Sequence, residues 1–383
     1  MNKIYTALGT MSGTSLDGID FSIIQTDGED HLSLESNSYL EFSNDLKQKI
    51  RSIKNKIRST NGCKKIIKTD EYKVLSKEIT MIHKEGIRQI VGYGGARQID
   101  FIGFHGITLW HKPADSYTHQ IGDAKLLMKS IVKYQNLKNT GIIFNFREND
   151  ILNGGQGAPL TSIYHKVLMK HLKIVDPRLI VNIGGITNVT YLNRGNIFST
   201  DIGPGNCLID NWIKKNFNKD FDKDGKISLE GNVNVNLADN FLNKLKKSQK
   251  NKNISYDTSD FDLSEFNKLN PKDGAATLSF ITAKAILNFA KNLDLKTIII
   301  CGGGSYNQAI LNNLKKNKFN ISLMKHLTLL DDPNPILALD GNFIESQAFA
   351  YLAIRSHLKL PISFPETTGC NKPCTGGVAV KNY

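Results

Sequence analysis

The chain has 383 residues, of which 40% are hydrophobic and 22% are charged, as is ordinary for a globular protein. This length is too great for one small core and predicts two domains. No run approaches the ~18 consecutive apolar residues of a membrane helix, and the N-terminus enters a predicted strand directly. We therefore expect neither a membrane span nor a signal peptide.

The net charge of +13 could indicate a nucleic-acid surface. Because the lysines are scattered, we favour a compositional origin, with attraction of anionic substrates as a mild consequence. The five cysteines are few and odd in number, which fits a reducing cytoplasm. Cys370 and Cys374 lie close together, but no second pair of metal ligands is apparent, and we interpret them as free thiols.

The first candidate site is a loop of glycine and hydroxyl residues between two predicted strands. Glycines within residues 9–18 let the backbone turn tightly and approach a ligand. The loop hydroxyls are those of Thr10, Ser12, Thr14 and Ser15, which with backbone N–H groups could cradle a phosphate. Asp17 would repel a bare phosphate but suits an intervening divalent cation. The alternative is an ordinary hairpin loop, since the pattern is neither a Rossmann turn nor a Walker loop.

Helical spacing marks the next part of the chain. Leu46, Ile50 and Ile53 recur at helical positions, while the polar residues 58–68 predict a loop. A second helix is expected around residues 75–82.

A buried strand at residues 101–104 ends at His105, which is a ligand-contact candidate. A satisfied structural histidine is the equal alternative. Gln120 precedes a helix that opens at Asp123, and its amide with the free helix N–H groups would suit a polar ligand.

Another strand feeds a glycine-rich loop at residues 153–160, which contains Gly155 and Gln156. The density of glycine predicts a loop pressed against a ligand, and the alternative is a plain connector.

Residues 179–192 repeat the opening design of strand, glycine-containing hairpin loop and strand. The loop carries Gly184 and Gly185, with Asn188 close behind. Two such units about one domain apart predict duplicated domains that hold one phosphate chain from two sides.

Asp201 is predicted to end a strand, before a Gly-Pro-Gly turn and a helix that starts near Asn206. A carboxylate at a strand end facing a helix N-terminus is well placed for general-base work. The alternative, an N-cap, is disfavoured because Asp201 lies too many residues before the helix.

A buried strand at residues 297–301 enters Gly302, Gly303 and Gly304 ahead of another helix. A glycine run at a helix N-terminus suits a nucleotide base, ribose or phosphate. The last amphipathic helix carries Glu345 in its first turn.

Together these motifs resemble those of the anhydro-N-acetylmuramic acid kinases, a family of the actin, hexokinase and heat-shock chaperone ATPase superfamily. The matching stretches occur in order at residues 9–20, 154–160, 182–188, 201–206, 302–307 and 345–350, followed by Thr368-Gly369 and Gly376-Gly377. The resemblance implies an α/β fold of two duplicated actin-like (ribonuclease H-like) domains with an interdomain cleft. We place the domains at residues 1–140 plus 342–383 and at residues 141–341.

The resemblance also implies an enzyme that uses ATP and Mg²⁺ to open 1,6-anhydro-N-acetylmuramic acid and phosphorylate O6. The product would be N-acetylmuramic acid 6-phosphate, an intermediate of peptidoglycan recycling. Asp201 would be the base that activates water, and Glu345 would lie near the reacting groups.

The implied nucleotide contacts are Ser12, Gly13, Thr14, Ser15, Leu16, Asp17, Gly18, Ile19, Gly184, Gly185, Asn188, Gly302, Gly303 and Gly304, with Asp17 directed to Mg²⁺. The implied sugar contacts are His105, Gln120, Gly155, Gln156 and Asn206. We expect a cytoplasmic homodimer whose partner is a small anhydro amino sugar, and neither nucleic acid nor membrane.

Three positions depart from the family pattern. The family usually has Asp at the position of Asn145, Gln at that of Ile107, and an arginine-containing loop around residues 258–260. These changes leave the ATP motifs intact and bear on contacts to the lactyl carboxylate of the sugar. The alternatives are a kinase of the same superfamily acting on another sugar, a nucleic-acid-binding protein and a phosphatase-like ATPase without sugar specificity.

Overall fold

The computed structural model describes residues 2–13, 16–93, 98–172, 174, 177–248, 256, 258–327 and 339–380. The strands are β1 Tyr5–Ser12, β2 Gly18–Thr26, β3 Leu32–Glu41, β4 Phe101–Lys112, β5 Tyr117–Ile121, β6 Gly141–Phe144, β7 Arg178–Ile183, β8 Ile186–Asn193, β9 Asn196–Pro204, β10 Thr297–Cys301, β11 Asn320–Leu323 and β12 Val378–Val380. The α-helices are α1 Asn44–Lys56, α2 Thr60–Ile66, α3 Asp70–Tyr93, α4 Ala124–Ile131, α5 Glu148–Leu152, α6 Ser162–His171, α7 Cys207–Phe217, α8 Lys226–Leu229, α9 Val235–Ser248, α10 Pro271–Ala290, α11 Gln308–Lys315, α12 Ile344–His357 and α13 Pro365–Thr368. Among these helices, none combines the length and the apolar character needed to cross a bilayer.

The described residues divide into two compact units. Those within 2–172 and 343–380 form the first unit, and those within 174–327 and 339–342 form the second. The predicted boundary between residues 140 and 141 is therefore corrected. Because β6 pairs in parallel with β4, residues 141–144 belong to the sheet of the first unit.

The first unit contains a seven-stranded mixed sheet in which β12, β6, β4, β1, β2 and β3 lie in that order, and β5 pairs with β4. Strands β1 to β3 are an antiparallel meander, and β4 lies parallel to β1. Apolar residues of the sheet, of α1 and of α3 form one buried core.

The second unit contains a five-stranded sheet with the order β11-β10-β7-β8-β9. Strands β7 to β9 again form an antiparallel meander, and β10 lies parallel to both β7 and β11. The path β9-β8-β7-β10-β11 thus has the same order and strand directions as β3-β2-β1-β4-β6. Both units are mixed α/β structures.

Local sequence explains the early helices. The Ser43 hydroxyl accepts a hydrogen bond from Leu46 N–H and caps α1, whose Leu46, Ile50 and Ile53 are buried as predicted. The predicted loop at residues 58–68 is wrong, because α2 occupies 60–66 there. Ser59 caps α2, and its buried Cys63 contributes to the core.

Helix α12 lies directly against the first sheet. A Cβ at Gly9 of β1 would lie only 1.9 Å from the carbonyl oxygen of Ser346, so a side chain there would push the helix away. The absence of that side chain lets the first turn of α12 approach the strand that leads into the first candidate loop.

Candidate active site

The first candidate loop joins β1 to β2, where Met11 pairs with Asp20. The Ser12 hydroxyl is buried and has no hydrogen-bond partner among the described residues. Leu16 adopts a left-handed backbone with φ of 62° and donates its N–H to the Gly13 carbonyl at 3.2 Å. The predicted contacts Thr14 and Ser15 lie outside the described residues. A buried hydroxyl without a partner is costly, and a bound polar ligand would relieve that cost.

Acidic side chains surround the exit of this loop. Asp17 is exposed, and its carbonyl accepts the Phe42 N–H at 2.9 Å. Burial, together with the charges of Asp17, Glu41 and Asp20, raises the pKa of Tyr39 to about 12. Carboxylate oxygens are suitable ligands for a divalent cation, so the donor chemistry at Asp17 fits Mg²⁺.

His105 is buried within β4, which continues to Lys112, so the prediction that a strand ends at His105 is wrong. Its Nδ1 is 2.8 Å from the Gly106 carbonyl oxygen, and its Nε2 is 2.9 Å from Nη2 of Arg147. Burial, reinforced by the Arg147 charge, holds the pKa of His105 well below its usual value, so the ring is neutral. A neutral Nε2 accepts from the guanidinium, and Nδ1–H donates to the carbonyl. Both ring nitrogens therefore have protein partners.

Arg147 connects three parts of the first unit. Besides His105, its Nη1 donates to the Gly157 carbonyl at 2.7 Å. Its charge also acts on the carboxylate of Glu345, whose pKa is raised by burial and lowered in part by Arg147. This arrangement brings a carboxylate, a guanidinium and the glycine-rich loop together.

A buried polar network fixes the first turns of α12, where Glu345 lies. The Ser346 hydroxyl is 2.6 Å from that of Ser22 in β2. The Gln347 side chain accepts a hydrogen bond from the Tyr164 hydroxyl at 2.8 Å. Because these groups are buried and satisfied, they define the position of the helix that carries Glu345.

The glycine-rich loop and β5 supply the other predicted sugar contacts of the first unit. Gln156 donates its N–H to the Thr368 carbonyl at 2.8 Å, and Gly155 beside it is buried. The amide nitrogen of Gln120 donates to the hydroxyls of Thr118 and Thr108.

The second candidate loop joins β7 to β8 and contacts the start of α7. The Gly184 carbonyl accepts the Asn206 N–H at 2.8 Å, and the Gly185 carbonyl accepts those of Gly205 and Cys207. Helix N-termini usually leave such donors free. Here the hairpin loop satisfies them, so α7 and the loop are held as one piece.

Asp201 is buried within β9, where it pairs with Asn188 of β8. Its Oδ2 accepts the Tyr256 N–H at 2.9 Å. The Asn188 Oδ1 atom is buried and has no hydrogen-bond partner among the described residues. β9 continues to Pro204, so the prediction that Asp201 ends a strand is wrong. A bulge lies just beyond it, between the pairs of Asn188 and Thr187.

The glycine run after β10 lies against the end of β7 and against Asn206. A Cβ on Gly304 would lie 2.2 Å from Cγ2 of Ile183 and 3.2 Å from Oδ1 of Asn206. Gly303 is exposed, whereas Gly304 is buried and Gly302 is partly buried. The carboxyl ends of the parallel strands β7 and β10 therefore bring Gly302–304 and Asn206 together.

Sequence reasoning missed two residues of the site. One is Arg147, although a cation that follows a buried strand near a glycine-rich loop is a detectable signal. Tyr256 contacts Asp201 through its backbone N–H, and a backbone contact carries no residue-type signal.

Comparison with known proteins gives a consistent result. The family model for anhydro-N-acetylmuramic acid kinase matches residues 5–382. The anhydro-N-acetylmuramic acid kinase of Pelagibacter ubique (strain HTCC1062) is 39% identical over 395 residues, with 100% of both chains covered. That of Agrobacterium fabrum (strain C58 / ATCC 33970) is 35% identical over 393 residues, also with 100% of both covered.

Similarity to solved structures is weaker. A ROK family glucokinase from Streptomyces griseus in complex with glucose and AMPPNP aligns with 91% of this chain and 99% of its own, at 10% identity and a TM-score of 0.39. That score is too low to argue from. The full-length matches carry the assignment, and this chain belongs to the anhydro-N-acetylmuramic acid kinase family.

Proposed function

We propose that this member of the anhydro-N-acetylmuramic acid kinase family uses ATP to open 1,6-anhydro-N-acetylmuramic acid with water and to phosphorylate O6 in cell-wall recycling. The products are N-acetylmuramic acid 6-phosphate and ADP. The observation that carries the proposal is the full-length match to relatives of that name, at 39% identity in one case.

Asp201 is proposed as the general base. It would accept a proton from water as the water oxygen attacks the anomeric carbon. The bond from that carbon to O6 breaks, and O6 attacks the terminal phosphorus of ATP, which releases ADP. The hydrogen bond from Tyr256 N–H to Oδ2 supports this role, because it orients the carboxylate.

Glu345 is proposed to lie near the reacting groups. Burial raises the pKa of its carboxyl group, the Arg147 charge offsets part of that rise, and the neutral His105 holds Arg147 in place. His105 would therefore act on the sugar through Arg147. Gln120, Gly155 and Gln156 in the first unit, and Asn206 in the second, remain proposed sugar contacts.

The nucleotide is proposed to contact the two hairpin loops and the glycine run. The Ser12 hydroxyl and Asn188 Oδ1, which have no hydrogen-bond partner in the described part of the chain, support this assignment. Asp17 would hold Mg²⁺, which when bound neutralises phosphate charge during phosphoryl transfer. The other proposed contacts are Gly13, Thr14, Ser15, Leu16, Gly18, Ile19, Gly184, Gly185, Gly302, Gly303 and Gly304.

The departures from the family pattern bear on sugar specificity. The left-handed Asn145, with φ of 58°, hydrogen-bonds Glu148, and residues 258–260 follow closely on Tyr256, the partner of Asp201. We expect these positions to change preference for the lactyl group. Turnover of the muramic acid substrate should be compared with that of an analogue lacking the lactyl group, and strong discrimination for the lactyl carboxylate would show that other residues supply that contact.

The reaction is tested by mass spectrometry of the products in ¹⁸O-labelled water. The proposal expects the label on the anomeric hydroxyl and none in the phosphate. Label in free phosphate without a sugar product would instead indicate an ATPase that lacks sugar specificity. Phosphorylation of a different anhydro sugar would indicate the related kinase.

The finer architecture is also a proposal. The shared strand order of the two sheets supports duplicated actin-like domains. From the family resemblance we further propose a cytoplasmic homodimer, which light scattering coupled to gel filtration would test.

A further inference from the structure

A cluster of metal-ligating side chains lies in the first unit, next to the glycine-rich loop that carries Gly155. Asp150 of α5 and two cysteines that follow α13, Cys370 and Cys374, place one potential ligand atom each within 4.8 Å of one another. All three residues are buried, with exposed fractions of 1%, 2% and 8%. We call this group the Asp-Cys-Cys cluster.

The carboxylate of Asp150 lacks a positive partner. Its Oδ1 accepts the Thr368 hydroxyl at 2.5 Å, and its Oδ2 accepts the Gly157 N–H at 2.6 Å. Among the described residues, no cationic side chain lies within ion-pair distance of it. A buried carboxylate usually has a charged partner or coordinates a metal, because neutral hydrogen bonds offset only part of its desolvation.

The glycine-rich loop is shaped around this carboxylate. A Cβ on Gly155 would lie 2.2 Å from the Asp150 Oδ2 atom, so only glycine permits the loop to close there. The hydrogen bonds from Thr368 and Gly157 hold the carboxylate in one orientation. Such orienting bonds are the usual surroundings of a metal ligand.

The two cysteines are free thiols in polar surroundings. Cys370 Sγ donates to the Lys372 carbonyl at 3.2 Å, and Cys374 Sγ is 3.1 Å from the Ser363 hydroxyl. Burial, with a smaller contribution from the Asp150 charge, raises the pKa of Cys370 to about 11. The Cys370 thiol is therefore protonated at neutral pH unless a cation displaces the proton.

We propose that the Asp-Cys-Cys cluster binds one Zn²⁺ ion, with water or the Ser363 hydroxyl in the fourth position. Zinc favours sulfur and carboxylate ligands in tetrahedral sites. Each thiol loses its proton and forms a Zn–S bond, so one Zn²⁺ replaces two protons and the net charge of the cluster does not change. Because the net charge stays the same, binding of Zn²⁺ does not add the cost of burying a further charge.

The ion would join the C-terminal segment to the glycine-rich loop. The backbone already links them, because Gln156 N–H donates to the Thr368 carbonyl at 2.8 Å and Asn371 N–H donates to the Asn153 carbonyl at 2.9 Å. A structural zinc adds a bond between the same two segments, so we expect it to raise the melting temperature.

The test uses the full-length protein, reduced and freed of metal with a chelator, and Co²⁺ followed by Zn²⁺ as probes. We expect one equivalent of Co²⁺ to give a thiolate-to-cobalt charge-transfer band that Zn²⁺ removes. Zinc addition in weak buffer should release two protons per ion. The absence of stoichiometric binding, or a bound ion without sulfur ligands by X-ray absorption, would overturn the proposal.

Variants locate the site. Cys370→Ser and Cys374→Ser should each lose the cobalt band, whereas Cys63→Ser, a buried thiol of α2, should keep it. Retention of the band by both variants would overturn the proposal. If either variant fails to fold, X-ray absorption on the unmodified protein tests the proposal instead, because the proposed site has two sulfur ligands. A disulfide between these two cysteines in protein isolated without oxidant, seen as the loss of two hydrogens, would also overturn it.

Discussion

The β1–β2 and β7–β8 hairpins have the same position in sheets of the same strand order, but their loops are held differently. The β7–β8 loop binds three N–H groups at the start of α7 through its Gly184 and Gly185 carbonyls. The β1–β2 loop instead has a buried Ser12 hydroxyl without a described partner and an exposed Asp17. The β7–β8 loop is thus fixed to a helix of its own unit. Each hairpin nevertheless contains one buried polar atom without a described partner, which is the Ser12 hydroxyl in the first and Asn188 Oδ1 in the second.

Buried and partly buried histidines are a further property of the first unit. Four histidines there have pKa values lowered by burial, namely His83, His105, His119 and His165. Acid should therefore destabilise the first unit, because unfolding exposes rings that then bind protons. The two hairpins show that a shared strand order leaves each unit free to acquire its own loop chemistry.

The largest expected effect comes from changing Asp201 of the second unit, the proposed general base. Asp201→Asn should lower single-turnover rates by ~10²–10⁴, because asparagine keeps the shape and hydrogen bonding but cannot accept the proton from water. Nucleotide affinity should be unchanged. The exposed Asp294→Asn is the matched control. A rate within tenfold of the parent enzyme would remove the base role from Asp201 and move it to Glu345.

The second prediction concerns the Ser12 hydroxyl of the first hairpin, which has no hydrogen-bond partner among the described residues. Ser12→Ala should weaken nucleotide binding about tenfold or more, since a hydrogen bond to a charged group contributes ~1.5–3 kcal/mol. Calorimetry of nucleotide binding measures the change. Ser36→Ala is a close control, because the Ser36 hydroxyl is also buried without a described partner but lies in β3. Equal affinities for the two variants would show that the Ser12 hydroxyl does not contact nucleotide.

The third prediction concerns acid stability. His83 has a pKa of about 4 in the folded state, lowered by burial, and ~6.5 when unfolded. Between those values the unfolded chain binds more protons, so the free energy of unfolding falls as the pH falls through this window, by up to ~1.4 kcal/mol per pH unit for this group. Above the pKa of the unfolded chain, His83 is neutral in both states and the free energy of unfolding no longer depends on its titration.

His83→Leu should therefore flatten the dependence of unfolding free energy on pH between 6.5 and 5, measured by urea denaturation. The partly exposed His171→Leu is the matched control. An unaltered slope in His83→Leu would mean that His83 is not the group that titrates. Hydrogen exchange at pH 5.5, corrected for intrinsic rates, should be faster in the first unit than at neutral pH.

The smallest expected effect concerns Asp17, the exposed carboxylate of the β1–β2 loop. Asp17→Asn should reduce the rise in melting temperature caused by ATP with Mg²⁺ and lower affinity about fivefold, the ~1 kcal/mol typical of an exposed charge interaction. Asp45→Asn on α1 is the exposed control. If Mg-ATP raises the melting temperature of Asp17→Asn as much as that of the parent protein, Asp17 does not bind the metal ion. A polyanion that stabilises the protein far more than ATP would favour nucleic-acid binding.

The sequence by itself determined the local elements and the order of the motifs. Apolar runs predicted β7 and β10, Asp123 marked a helix start, and both glycine-containing hairpin loops were found. These features depend on neighbours a few residues apart, so the local sequence contains the information that specifies them. Residues 60–66 are the exception, because burial of Cys63 in the core favours a helix in a segment that is polar overall.

Only the tertiary structure decided which distant residues meet. It joined β6 to the first sheet, placed Arg147 between His105 and the Gly157 carbonyl, and brought Asp150 to two cysteines more than 200 positions away in the sequence. Each of these contacts is set by burial and by pairing across the fold. A linear pattern specifies residue types and spacings, but the energy of a buried charge or hydrogen bond depends on which partners the folded chain provides.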